Sequence, residues 1–129
     1  MTWAFQAIKN LGDGDGSAKL LQWTGGVSAD GAAVGVELPE WADNCVQVTG
    51  TIGGATVTIE GSNDSTNGVD GTWGTLNNAQ GTALSTATLP LGPKQIVERP
   101  RWIRPNVSGG TATALAVSLL LRRTNTMRT

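Results

Sequence analysis

Any chemistry in this chain must come from carboxylates, amides and arginines, because it holds no histidine and a single cysteine. General acid–base work draws most often on His, or on carboxylates tuned in a pocket. Asp13, Asp15, Asp30, Asp64 and Asp70 all lie in Gly-rich stretches. There an aspartate ordinarily shapes a turn by accepting backbone N–H groups. Asp13-Gly14-Asp15-Gly16 spaces two carboxylates as some calcium loops do, but Glu37 lies too far along to close such a loop. Asn63, Asp64, Asn67 and Asp70 form a second oxygen-rich run without a defined ligand spacing. Cys45 sits in a strand-like run, Asn44 to Val48, and reads as a packed thiol with no His to activate it. Gly12, Gly14 and Gly16 lack the dinucleotide-binding spacing, and no Gly-Lys-Ser/Thr phosphate signature is present. The sequence therefore predicts a protein that is not an enzyme and uses no cofactor or metal.

The residues that point to a partner are arginines and aromatics. Arg99 stands just before Pro100, and Arg101, Trp102 and Arg104 lie between Pro100 and Pro105. Such a cluster suits salt bridging to a protein surface or to an acidic loop, since the planar guanidinium grips carboxylates in a fork. Phosphate contact with base stacking is the nucleic-acid alternative, and it is not the expectation here. A plainer alternative packs Trp102 inward, with Arg101 and Ile103 on the opposite face. Trp3 and Phe5 supply two early aromatics ahead of the flexible Gly12–Gly16 run. They read as anchors on an arm whose hinge is that run. Trp73 is expected to pack into the core. The net charge of -1 hides a polarity: residues 1–93 carry nine acids and two bases, residues 94–129 seven bases and Glu98. The two halves either interleave in the fold or support contacts with an oppositely charged partner.

These residues must be held by strands. The chain has 18 Gly and 17 Thr, which favour tight turns and pleated strands respectively. Ala18–Thr24 reads as a strand ended by Gly25-Gly26, and residues 32–37 as a short second one. Val46, Val48, Val57 and Ile59 alternate with polar residues on either side of Gly53-Gly54, which predicts a hairpin. Residues 61–81 form a long polar loop with Trp73 and Leu76 packed back on the body. Residues 82–89 alternate weakly, and Lys94 to Glu98 is a short strand. The prolines predict that the Arg101–Arg104 segment is an edge strand or an extended crossover. Residues 111–122 are the strongest strand: Leu115, Val117, Leu119 and Leu121 share one face, and Ala114, Ala116, Ser118 and Leu120 the other. The whole fits an all-β, antiparallel β-sandwich of about seven to nine short strands, including the jelly-roll form. Residues 1–17 are an N-terminal arm or first strand plus a Gly/Asp-rich turn, 18–123 the sandwich, and 124–129 a polar basic tail. No apolar run, Leu119-Leu120-Leu121 included, approaches the length of a membrane span, so no membrane span is expected.

From residue 45 to 123 the chain resembles small structural proteins of tailed bacteriophages. The features are Val57-Thr58-Ile59-Glu60-Gly61-Ser62-Asn63-Asp64, Trp73 and Leu76, Glu98-Arg99-Pro100-Arg101-Trp102-Ile103-Arg104-Pro105, and the strand after Gly109-Gly110. That group includes capsid decoration, or cement, proteins with a jelly-roll-like sandwich. The resemblance implies a virion protein on the outer surface of an icosahedral capsid, bound between major capsid protein subunits and strengthening the shell. It also implies a homo-oligomer, trimer or dimer, assembled in the bacterial cytoplasm. The Gly-Ser-Asn-Asp…Trp pattern is also similar to carbohydrate-binding sandwich modules. A glycan- or receptor-binding module of a tail or fibre, or a head–tail connector or tail completion protein, is the alternative.

Overall fold

The computed structural model describes residues 3–11, 18–37, 43–85 and 92–122, with residues 6–11 as backbone. Alternation decides what each strand buries. In the strand Thr113–Arg122, Leu115, Val117, Leu119 and Leu121 are buried, and the residues between them face outward. The same rule puts Val46 and Val48 of Asp43–Thr51, and Val57 and Ile59 of Thr56–Ser62, into one core. Nine strands result among the described residues: β1 (Ala4–Leu11), β2 (Ala18–Gly26), β3 (Val36–Glu37), β4 (Asp43–Thr51), β5 (Thr56–Ser62), β6 (Gly74–Thr75), β7 (Lys94–Ile96), β8 (Trp102–Ser108) and β9 (Thr113–Arg122). They form a five-stranded sheet, β1-β2-β9-β4-β7, and a four-stranded sheet, β3-β8-β5-β6, with every pairing antiparallel.

The pairings are nested. β5 pairs with β6, β4 with β7, β3 with β8 and β2 with β9. A single long antiparallel ribbon, folded back between β5 and β6 and wrapped around a core, gives this nesting. The contacts β4–β9 and β5–β8 then close the two sheets. This is the double Greek key of a jelly roll, with β1 added outside β2. Residues 1–17 thus contribute a first strand over Ala4–Leu11, while the Gly12–Gly16 hinge lies outside the described residues. So do Asp13 and Asp15, Pro39 to Trp41, residues 86–91 and the basic tail.

Two local expectations are corrected. The Gly53-Gly54 turn forms: both glycines have positive φ, and Ala55 N–H donates to the Ile52 carbonyl at 3.0 Å. Yet β4 and β5 are not a hairpin. They leave the turn into different sheets, because β4 pairs along most of its length with β9, and β5 with β8. Both strands still point their apolar residues at the shared core, so the alternation looks the same either way. The second correction concerns Pro105. It lies inside β8, a central strand rather than an edge. Its carbonyl accepts Ala33 N–H at 3.0 Å, so its backbone polar side faces the region beyond the two-residue β3 and away from β5. Proline's missing N–H is harmless on that side, where no regular ladder needs it.

A bulge between β4 and β9 sets Ala114 at φ 52, the one positive-φ residue besides glycines among those described. Gly50 faces it, and a Cβ there would lie 2.4 Å from the Ala114 carbonyl oxygen. Only glycine fits that crossing without moving backbone.

Candidate functional site

Alternation along β8 buries Ile103, Pro105 and Val107 and turns Trp102, Arg104 and Asn106 to the outer face. Trp102 is therefore not packed inward opposite Ile103; Ile103 is the core residue. Antiparallel register places Glu60 of β5 directly across from Arg104. Arg104 Nε donates to Glu60 Oε1 at 2.9 Å, and Asn106 Nδ2 donates to Glu60 Oε2 at 3.1 Å. The Trp73 ring covers the guanidinium, with its centroid 4.0 Å from Cζ. Trp73 thus packs on the outer face as a cation–π cover and is not part of the core. Arg101 Nε donates to Glu37 Oε2 at 2.6 Å, and Arg101 N–H to Asn63 Oδ1 at 3.0 Å. The acidic and basic halves of the chain interleave through these two ion pairs. Arg99 is exposed and makes no ion pair among the described residues.

What covers Trp102 and Arg104 is a strap, residues 63–73, tied by its own polar side chains. Asp70 accepts from Ser65 Oγ at 2.9 Å, Thr66 N–H at 2.6 Å and the Thr66 hydroxyl. Asp64 Oδ1 accepts from Ser62 Oγ and Thr72 N–H, each at 2.8 Å. Trp73 Nε1 donates to the Asp70 carbonyl at 2.8 Å. Gly35 N–H donates to the Gly68 carbonyl at 3.0 Å, which docks the strap beside β3. A Cβ on Gly68 would sit 3.0 Å from the Trp102 ring, so strap and indole are in close contact. The indole Nε1 of Trp102 is buried with no hydrogen-bond partner. These contacts turn the oxygen-rich run toward its own N–H and O–H donors. Among the described residues no group of three or more acidic, Cys or His side chains gathers to hold a metal.

The donors lower the strap's acidities. The Thr66 hydroxyl, then Thr66 N–H and Ser65 Oγ, hold the Asp70 carboxyl at about 2. Thr72 N–H and then Ser62 Oγ hold Asp64 below its ordinary value. A carboxyl whose pKa is lower folded than unfolded stabilises the fold above the unfolded pKa, and that contribution fades as pH falls toward the folded one. The strap is therefore expected to stay closed down to pH 3.8, the ordinary Asp value, and to loosen as pH drops toward about 2. Trp73 fluorescence in an otherwise folded sample, read against far-UV dichroism, checks this; a strap signal that is flat through that window contradicts it. Elsewhere, burial pushes the Cys45 thiol above its ordinary value against the pull of the Arg122 charge, although Cys45 is half-buried on the outer face of β4 and not packed in the core as expected. Burial also disfavours the Glu98 charge, but Asn77 N–H at 2.8 Å and the Asn77 amide outweigh it and keep its pKa low.

A different surface presents the early aromatics. Trp3 packs over Gly26, and its Nε1 donates to the Gly31 carbonyl at 3.0 Å. Phe5 pairs in register with Trp23 and meets its ring edge-on, centroids 5.8 Å apart. Trp23 is buried at 2% exposure and donates Nε1 to the Val34 carbonyl at 3.0 Å, tying the two sheets together. Trp3, Phe5, Trp23, Val34, Gly35 and Val36 enclose an open apolar groove of about 240 Å³. Phe5 and Val34 remain 48% and 59% exposed on its rim. Sequence reasoning named Trp3 and Phe5 but missed Trp23, Val34 and Val36, whose membership depends on β3 arriving beside β1. A second, polar groove of about 340 Å³ lies where Glu98-Arg99-Pro100 passes Gly61-Ser62-Asn63 and Gly74-Thr75. No helix among the described residues is long and apolar enough to cross a membrane. No protein-family model, curated protein or solved structure matches this chain.

Proposed function

We propose that this chain is a non-enzymatic virion structural protein that binds the outer surface of an icosahedral capsid, between major capsid protein subunits, and stabilises the shell. The observation that carries the reading is the apolar groove at the β1–β3 margin. Its aromatic walls are fixed by strand pairing and indole hydrogen bonds, and its rim residues Phe5 and Val34 are exposed. Rigid aromatic anchors of this kind commonly dominate protein interfaces. The resemblance to phage cement proteins names the occupant, the major capsid protein, and a dimer or trimer of this chain as the attached unit. Two sheets sharing one core make a stiff brace, and many weakly held copies give a shell large total support. Arg101 and Arg104 serve the domain itself in this reading, and Arg99 is the arginine left to meet an acidic shell surface.

Co-sedimentation with empty shells tests this. Saturable attachment and a higher shell rupture temperature are expected; failure to attach at high micromolar concentration overturns the reading. The polar groove around Arg99 favours a second reading, a glycan- or receptor-binding module. Selective signals on a glycan array, without shell binding, would assign that one.

A further inference from the structure

The strap carries the one Asn-Gly pair of the chain, Asn67-Gly68. Such a pair is chemically reactive, because glycine has no Cβ to shield its amide nitrogen. That nitrogen can attack Cγ of the asparagine. The N–Cγ bond forms, the Cγ–Nδ2 bond breaks, and ammonia leaves with the proton the nitrogen gives up. The five-membered succinimide then adds water and opens to aspartate or isoaspartate. No oxidant, reductant or cofactor takes part.

The fold holds every group this reaction needs. Gly68 N–H donates to Ser65 Oγ at 2.9 Å, and Ser65 is fully buried. Ser65 Oγ in turn donates to Asp70 Oδ1 at 2.9 Å, which fixes the hydroxyl. Asn67 Oδ1 accepts Val69 N–H at 2.9 Å and Asp70 N–H at 3.0 Å. Rotating Cγ over the Gly68 nitrogen breaks both of those bonds, and freeing the nitrogen breaks the third. We propose that Asn67-Gly68 is a latent self-modification site, inert while the strap is closed over Trp102 and Arg104 and reactive once it opens.

The product makes opening irreversible. Isoaspartate adds a methylene to the backbone between residues 67 and 68. Asn67's former acceptor position no longer reaches Val69 and Asp70, and the Gly68 carbonyl leaves Gly35 N–H. Either product also sets a new carboxylate beside Asp70. Opening events are thereby recorded as unlatched chains.

Peptide mass mapping of residue 67 tests this on three samples aged in mildly alkaline buffer: the folded protein, the protein in denaturing urea, and folded Ser65→Ala. Three hydrogen bonds of ordinary net strength correspond to a rate on the order of 100-fold slower in the folded protein than in urea. Ser65→Ala is expected to fall between the two. Equal rates folded and unfolded overturn the proposal. Amide exchange at Gly68 in the unmodified protein is the second readout, for use where Ser65→Ala does not fold. Strong protection of that amide supports the latch, and free exchange overturns it.

Discussion

Glu60→Ala is expected to destabilise the domain by about 2–3 kcal/mol. Glu60 and Arg104 face each other across β5 and β8, with side chains only 14% and 15% exposed. Removing the carboxylate strands the guanidinium beneath Trp73 and leaves Asn106 Nδ2 without its acceptor. Losing one partner of a fully buried pair costs about 3–5 kcal/mol, and the residual exposure here lowers that somewhat. Glu37→Ala is the internal control. Its pair with Arg101 is 39% and 50% exposed, so a change of about 0.5 kcal/mol or less is expected. Urea unfolding of the two variants gives the comparison as a shift in midpoint at constant slope. Equal midpoints would mean that the Arg104–Glu60 pair holds nothing. The result bears on function directly. Reversing charge at Arg104 places two carboxylates across one β-bridge, so any loss of shell binding in that variant reports a damaged fold before it reports a lost contact.

The arginine cluster shows why a motif legible in the chain need not reveal which carboxylates its charges meet. Arg99, Arg101 and Arg104 stand together in the chain, and a run of like charges looks like a surface awaiting a partner. The carboxylates that Arg101 and Arg104 meet lie 64 and 44 residues away, in strands that only the nested pairing brings alongside. No spacing rule reaches that far. Local signals fared better where the physics is local. The positive φ values at Gly53-Gly54 and the two faces of β9 follow from residue type and period two. Partner choice does not follow from either, which is why the alternation around a sound turn predicts a hairpin that the sandwich splits between sheets. Pro105 failed for a related reason. The rule that keeps proline off central strands assumes a ladder on both sides, and at that level β8 has a regular one only on the side of β5.

Phe5→Ser is expected to weaken shell attachment about 30-fold, the effect of losing one central aromatic anchor. Phe5 is half exposed, so its loss should cost the fold about 1 kcal/mol, well below what a fully buried aromatic costs. That separation is what makes it the sharper test. Deleting residues 1–11 looks cleaner if they are a free arm, but β1 pairs with β2, and Trp3 seals Gly26 and holds the Gly31 carbonyl. The deletion would strip an edge from the sheet and expose Trp23. Arg99→Glu supplies the contrasting case. An exposed charge acts mainly through long-range attraction, so its effect should be smaller and should vanish at high salt. Binding curves against empty shells, set beside urea midpoints for the same proteins, decide the matter. A Phe5→Ser curve superimposed on the parent removes the groove from the shell contact. A tenfold or larger shift, with a urea midpoint lowered by no more than that about 1 kcal/mol implies, places the anchor there, because a domain that stays almost wholly folded loses almost no binding through its fold.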